Sequence, residues 1–281
     1  MSMDNAASMV KMFFGELARK NPPQGGDYVK NGILFCGKCN TPKQERISVD
    51  GEEVVYPVWC ECMERAEAEE KQRRKDIERS IKAAELRHLS MMDSLSAKCT
   101  FSGADKSGEN SRSLTICERY AEKFPQMLAD NRGLLLFGSV GTGKTFAAAC
   151  IANALLEQNY SVVMTSLVTL IDGAEEIIRR MREIDLLILD DLGAERSTDY
   201  GFERIYAVCD ARYRCGKPVI YTSNLPLDTF KHAEDIRCAR IYDRVLERCY
   251  PVEFRGVSRR KREARRGFEE MSKLLEIQEE L

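Results

Sequence analysis

No run of about 18 uncharged apolar residues occurs in the chain, which excludes a membrane-spanning helix. The first 20 residues, MSMDNAASMVKMFFGELARK, also lack the unbroken apolar core of a secretion signal, because Lys11 and Glu16 interrupt it. They predict an amphipathic helix in a cytoplasmic protein without a membrane partner. Neither charge is in excess: 43 Lys and Arg stand against 45 Asp and Glu, a formal net charge of -2. Bulk attraction to nucleic acid is therefore not expected, and any such contact must come from local clusters. Histidine is scarce. His88 and His232 both lie far along the chain from the clustered cysteines described next.

Cysteine is plentiful, with eleven residues, of which seven stand singly at 99, 117, 150, 209, 215, 238 and 249.

 
These seven, from Cys99 to Cys249, read as reduced and mostly buried thiols. The other four form FCGKCN at 35 to 40 and VWCECM at 58 to 63. Two close pairs separated by a polar loop with the turn signal VDGEE place Cys36, Cys39, Cys60 and Cys62 as a tetrahedral zinc set. The second pair is C-x-C, a departure from the commoner C-x-x-C. About 30 residues cannot bury enough surface to fold alone, so the metal is expected to be structural. Without metal, the same pattern would be four reduced cysteines in a hairpin.

The length of 281 residues exceeds the need of one compact core and predicts a large domain plus a smaller module. Glycine and proline are absent from Met63 to Asp93, where opposite charges recur at helical spacing, as in a long solvated helix. SGADKSGENSR at 102 to 112 reads as a joint. The expected organisation is an amphipathic helix and zinc-binding module at 1–62, a charged helical linker at 63–94, a nucleotide-binding domain at 95–262 and a helical tail at 263–281. RRKREARR at 259 to 266 is basic enough to meet DNA phosphates, and a solvated helix explains it equally well.

GLLLFGSVGTGKT at 133 to 145 is an apolar strand running into G-x-x-x-x-G-K-T and then a helical pattern. This is a phosphate loop, formed by Gly138, Ser139, Val140, Gly141, Thr142, Gly143, Lys144 and Thr145. Its glycines turn backbone N–H groups toward a phosphate chain, Lys144 neutralises the outer phosphates, and Thr145 can ligate Mg2+. ATP and Mg2+ are the expected cofactors. LLILDDLGAE at 186 to 195 supplies the acidic strand end that such a site needs: Asp190 for the metal and Asp191 to orient water. Aspartate retracts that second carboxylate by one methylene relative to glutamate, which predicts slow hydrolysis. KPVIYTSN at 217 to 224 brings Asn224 to the same edge. Strands at 133–137, 160–165, 185–190 and 217–222 alternate with helical patterns, predicting an α/β fold with a parallel sheet.

In their order, GLLLFGSVGTGKT, LLILDDLGAE, VIYTSNLPL, ARIYDRVLERC at 239 to 249 and VEFRGVSRR at 252 to 260 resemble the DnaC/DnaI-type helicase loaders among the AAA+ ATPases. The resemblance covers about residues 95–262, and the cysteine-rich N-terminal module is similar to the DnaI kind. It implies a P-loop ATPase that self-associates with ATP, binds a replicative helicase and single-stranded DNA, and hydrolyses ATP as a release step. It also implies Asn224 as first sensor, Arg244 as the arginine finger in preference to Arg240, and Arg260 as second sensor. From the residues alone, Arg244 could pair with Asp243, Glu247 or solvent. Two other functions fit the same motifs: a transposon helper ATPase, and a zinc-dependent adaptor that binds ATP without hydrolysing it.

Overall fold

The computed structural model describes residues 22–49, 52–90, 92, 95–193 and 199–275. The expected N-terminal amphipathic helix lies outside the described residues. The chain divides into two compact units, Met1–Ile77 and Glu78–Leu281. Among the described residues, no helix is long and apolar enough to cross a membrane.

The first unit holds two short antiparallel hairpins. In one, β1 (Tyr28–Lys30) pairs with β2 (Ile33–Phe35). Asn31 and Gly32 turn between them with φ of 52° and 73°, the left-handed pair that a two-residue hairpin turn requires. In the other, β3 (Gln44–Val49) pairs with β4 (Glu52–Pro57). Helix α1 (Glu61–Leu86) begins at the second cysteine pair, and glycine and proline are absent from it. Up to Ile77, the buried residues among those described are Cys36, Lys43 and Cys60. Lys43 donates to Asp27 at 2.8 Å and to the Pro22 carbonyl at 2.7 Å. That bond, with backbone N–H groups of Gln24 and Gly37, holds the Asp27 carboxyl at about 2.

The second unit is a five-stranded parallel sheet between helices. Its strands are β5 (Gly133–Gly138), β6 (Val162–Ser166), β7 (Leu186–Leu192), β8 (Val219–Ser223) and β9 (Cys249–Phe254), in the order β6-β7-β8-β5-β9. Helices α2 (Ser111–Glu122), α3 (Phe124–Ala129), α4 (Lys144–Glu157), α5 (Leu167–Arg179), α6 (Asp199–Cys215), α7 (Leu227–Lys231), α8 (Ile236–Arg248) and α9 (Arg259–Leu274) complete it. Central strands buried on both faces read as continuous apolar runs. Thus Leu134 and Leu136 enter one core with Ala147 and Ile151, while Leu135 and Phe137 enter the other with Leu167 and Val208. The four expected strands are present within a few residues of their expected bounds. The fifth, β9, lies in a stretch that the sequence pattern left unassigned, and it forms the sheet edge beside β5.

Arg212 on α6 has no exposed surface. Its guanidinium donates to the carbonyls of Met181, Ile184, Asp185 and Pro218 and so ties the loops entering β7 and β8 together. Burial lowers its pKa to about 10, which leaves it a cation at neutral pH.

Candidate functional site

The loop after β5 wraps the N-terminus of α4, where N–H groups without intrahelical partners face an incoming anion. Gly141 adopts φ of 78°, and a β-carbon there would collide with Ser258, so the close approach of the segment before α9 requires glycine. The Arg259 N–H donates to the Gly141 carbonyl at 2.9 Å, and Thr142 Oγ1 donates to the Ser139 carbonyl at 2.8 Å. Asn110 braces the loop from outside, donating to the carbonyls of Thr142 and Arg255 and accepting from the Arg255 N–H.

Lys144 is buried, 5% exposed, and donates to Asn224 Oδ1 at 2.7 Å and to the carbonyls of Gly138 and Ser139 at 2.9 and 2.8 Å. Burial lowers its pKa, while the charges of Asp191 and Asp190 oppose that shift. Val140, Gly141, Gly143, Lys144, Thr145, Asp191, Asn224 and Arg260 all border one polar cleft of about 440 Å³. Segments more than a hundred residues apart thus meet at the C-terminal edge of the sheet, where open α/β folds bind ligands.

Two consecutive strand residues normally point to opposite faces. At Asp190 and Asp191 the pairing of β7 with β8 shifts register, between Leu189 and Leu192, and Asp191 takes φ of 62°. This left-handed bulge, costing roughly 1–2 kcal/mol, breaks the alternation and lets both carboxylates serve one site. Asp190 accepts from Thr145 Oγ1 at 3.0 Å and from Thr222 Oγ1 at 2.6 Å. Asp191 lines the cleft, and its carboxylate lies 3.4 Å from Asn224 Nδ2. Burial pushes the Asp190 carboxyl up and Asp191 adds to the shift, whereas the Thr222 and Thr145 bonds and Lys144 pull it back. A hard dication fits this oxygen set, because it would neutralise two carboxylates that now repel.

Thr222 was not singled out by sequence. Its hydroxyl accepts the Asp191 N–H at 2.9 Å while donating to Asp190, so it fixes both carboxylates at once. Its position inside the polar TSN strand end was the available signal.

Arg244 is placed apart from the phosphate loop, in a second cleft bordered by Tyr206, Tyr213 and Arg240. Its guanidinium lies 2.7 Å from Asp210 on α6 and 5.5 and 5.1 Å from the ring centres of Tyr206 and Tyr213. The contact is an ion pair between two partly buried groups. Arg214 holds the other oxygen of Asp210 at 2.7 Å. Arg240, one turn earlier, is exposed.

In the first unit, the sulfurs of Cys36, Cys39, Cys60 and Cys62 all lie within 4.8 Å of one another. Cys36 and Cys62 are 3.6 Å apart, close to the edge, roughly 3.8 Å, of a tetrahedron with 2.3 Å zinc–sulfur bonds. The Thr41 hydroxyl lowers Cys39 to about 5, whereas hydrogen bonding with Cys39 and burial push Cys62 up to about 12. Four thiols this close cannot all ionise without a cation, and all four donors are soft sulfur suited to zinc.

The family model described as IstB-like ATP binding protein matches residues 50–267. The replicative helicase loader DnaI of Bacillus subtilis (strain 168) is 30% identical over 148 residues, covering 46% of this chain and 48% of that protein. The replicative helicase loader DnaC of Escherichia coli (strain K12) is 25% identical over 122 residues, 40% of this chain and 49% of that one. The chain therefore spans about half the length of these curated relatives. A solved structure titled as the crystal structure of the DnaI superposes with a TM-score of 0.51 at 26% identity, covering 60% of this chain and 95% of that chain.

Proposed function

The chain belongs to the IstB-like ATP binding protein family, and from its nucleotide cleft and its similarity to two helicase loaders we propose that it loads a replicative helicase onto single-stranded DNA under ATP control. The observation that carries this reading is the convergence of Lys144, Thr145, Asp190, Asp191 and Asn224 on one cleft, in a chain related to two named helicase loaders. In the proposed mechanism, Lys144 and the N–H groups that open α4 hold the triphosphate. Thr145 and Asp190 would hold Mg2+, which neutralises phosphate charge when bound. Asp191 would accept a hydrogen bond from a water and aim it at the outer phosphate, and Asn224, which accepts from Lys144, would read whether that phosphate is present. Arg260 contributes positive charge on the same cleft. Cys36, Cys39, Cys60 and Cys62 would hold a structural zinc in the module that meets the helicase.

Arg244 is read as the group that reaches a neighbouring subunit's ATP, leaving Asp210 to Arg214 when it does so. Arg244→Ala is then expected to leave ATP binding by an isolated chain nearly intact and to lower DNA-stimulated phosphate release on the order of a thousandfold. Mixing it with Lys144→Ala should restore hydrolysis, since one chain supplies the finger and the other the phosphate loop. Mixed assembly without recovery would place the role of Arg244 inside its own chain and remove the support for an ATP-bridged oligomer.

Thr222→Val tests the metal assignment. It keeps the strand and its volume but deprives Asp190 of one donor and the Asp191 N–H of its acceptor. The apparent Mg2+ affinity, read from ATPase rate against Mg2+ concentration, should fall by about 10–100-fold. An unchanged Mg2+ titration would assign the metal to other residues. The alternative of a transposon helper ATPase is supported by a relative described as a putative insertion sequence ATP-binding protein, and it predicts no complex with a replicative helicase in a purified binding assay.

A further inference from the structure

Beside the edge strand β9, away from the phosphate loop, a groove of about 570 Å³ runs between α2 and the start of β9. It continues into a neighbouring hollow of about 300 Å³ that shares Ile116, Tyr250 and Pro251. Arg112, Ile116 and Arg119 on α2 and Lys123, which caps its C-terminus, border it at spacings of four, three and four residues, so they form one stripe along the helix and its end. Arg132 adds a fifth side chain at one end, where its guanidinium reaches the Glu247 carbonyl at 3.4 Å. Among the described residues none of these four cations pairs with a carboxylate. The acids nearby are largely committed: Glu247 pairs with Arg248 at 3.0 Å and accepts from Tyr213, and Glu253 pairs with Arg255 at 2.6 Å. Glu109 stands at the far end.

Tyr250 is 61% exposed on this edge, facing the stripe of cations across the groove. We propose that the groove binds a single-stranded polynucleotide, its phosphates on Arg112, Arg119, Lys123 and Arg132 and a base stacked on Tyr250. The helix rise sets Arg112, Arg119 and Lys123 roughly 10 and 6 Å apart along the axis, so they meet different phosphates of an extended strand. Stacking on Tyr250 needs a base with a free face, which a single strand offers and a duplex does not. A peptide adding to the edge of the sheet is disfavoured, because Pro251 interrupts its row of N–H donors.

This inference rests on the reading that the chain works on single-stranded DNA, and it assigns the place. The test is fluorescence anisotropy of a labelled oligo-dT with the full chain across a salt series, with the matching oligo-rU and a duplex as further probes. Arg119→Ala/Lys123→Ala should weaken binding by about 10-fold or more and flatten the log–log salt slope by about 1.4, two contacts at about 0.7 each. Tyr250→Ala should weaken it by about 5- to 150-fold, with Tyr250→Phe close to wild type. A merely structural role would leave the salt slope unmoved, and ATP affinity reports that each variant is folded. If wild type binds the strand and the variants match it, the groove is wrong and the loader reading stands. Equal affinity for duplex overturns the stacking on Tyr250, and oligo-rU bound as well as oligo-dT makes the site general for single strands. No binding by wild type removes both the groove and the DNA reading.

Discussion

Lys144→Ala is expected to abolish measurable ATP binding. The phosphate loop places a single cation, and its three hydrogen bonds already aim the ammonium between the Gly138 and Ser139 carbonyls and Asn224. Each charge-assisted bond to a phosphate oxygen is worth about 1.5–3 kcal/mol, so losing two lowers affinity by more than about 100-fold. The same substitution strips a donor from two carbonyls and from Asn224, which costs about 1–3 kcal/mol of stability if water does not replace it. Calorimetric titration with ATP and Mg2+, beside a thermal melt, separates the two effects. A folded variant that keeps wild-type affinity would overturn the assignment of this cleft to ATP.

Zinc removal is expected to unfold the first unit and leave the second folded. The two hairpins carry almost no core: Val29, Ile47, Val54 and Val55 are exposed, and two of the three buried residues among those described up to Ile77 are proposed metal ligands. Isolated two-stranded hairpins are marginal in water. A structural zinc bound with about 10–16 kcal/mol supplies what packing does not. Freshly purified, reduced protein should contain about one zinc per chain by elemental analysis. After chelation, limited proteolysis should cut rapidly between β1 and α1, while fragments containing β5 to β9 persist. Cys60→Ser, at a buried sulfur, should do the same without a chelator. Metal-free protein with a protease-resistant first unit would remove zinc from the account.

The phosphate loop was legible because its chemistry is local. Glycines that permit left-handed turns, a lysine and a threonine at fixed spacing, and a strand and helix on either side all fall within 13 residues from Gly133 to Thr145. The alternation of apolar runs with helical periodicity likewise announced a parallel sheet, since burial on both faces leaves no polar positions along a central strand. The cysteine spacing pointed to a four-sulfur cluster for the same reason: each pair falls within four residues, the first on the turn after β2 and the second at the start of α1.

What only the tertiary structure decided lies between segments that periodicity cannot match to one another. A helical pattern names the face that is buried but not the partner that buries it. Arg244 therefore found Asp210 and two tyrosines on another helix, where the sequence offered neighbours on its own. The stripe of cations on α2 acquired meaning only when β9 was placed beside it as the edge strand. The bulge at Asp191 could not be read either, because an aspartate tolerates left-handed φ without announcing it. That conformation, held by the Thr222 hydroxyl from the adjacent strand, is what turns two consecutive carboxylates toward one site.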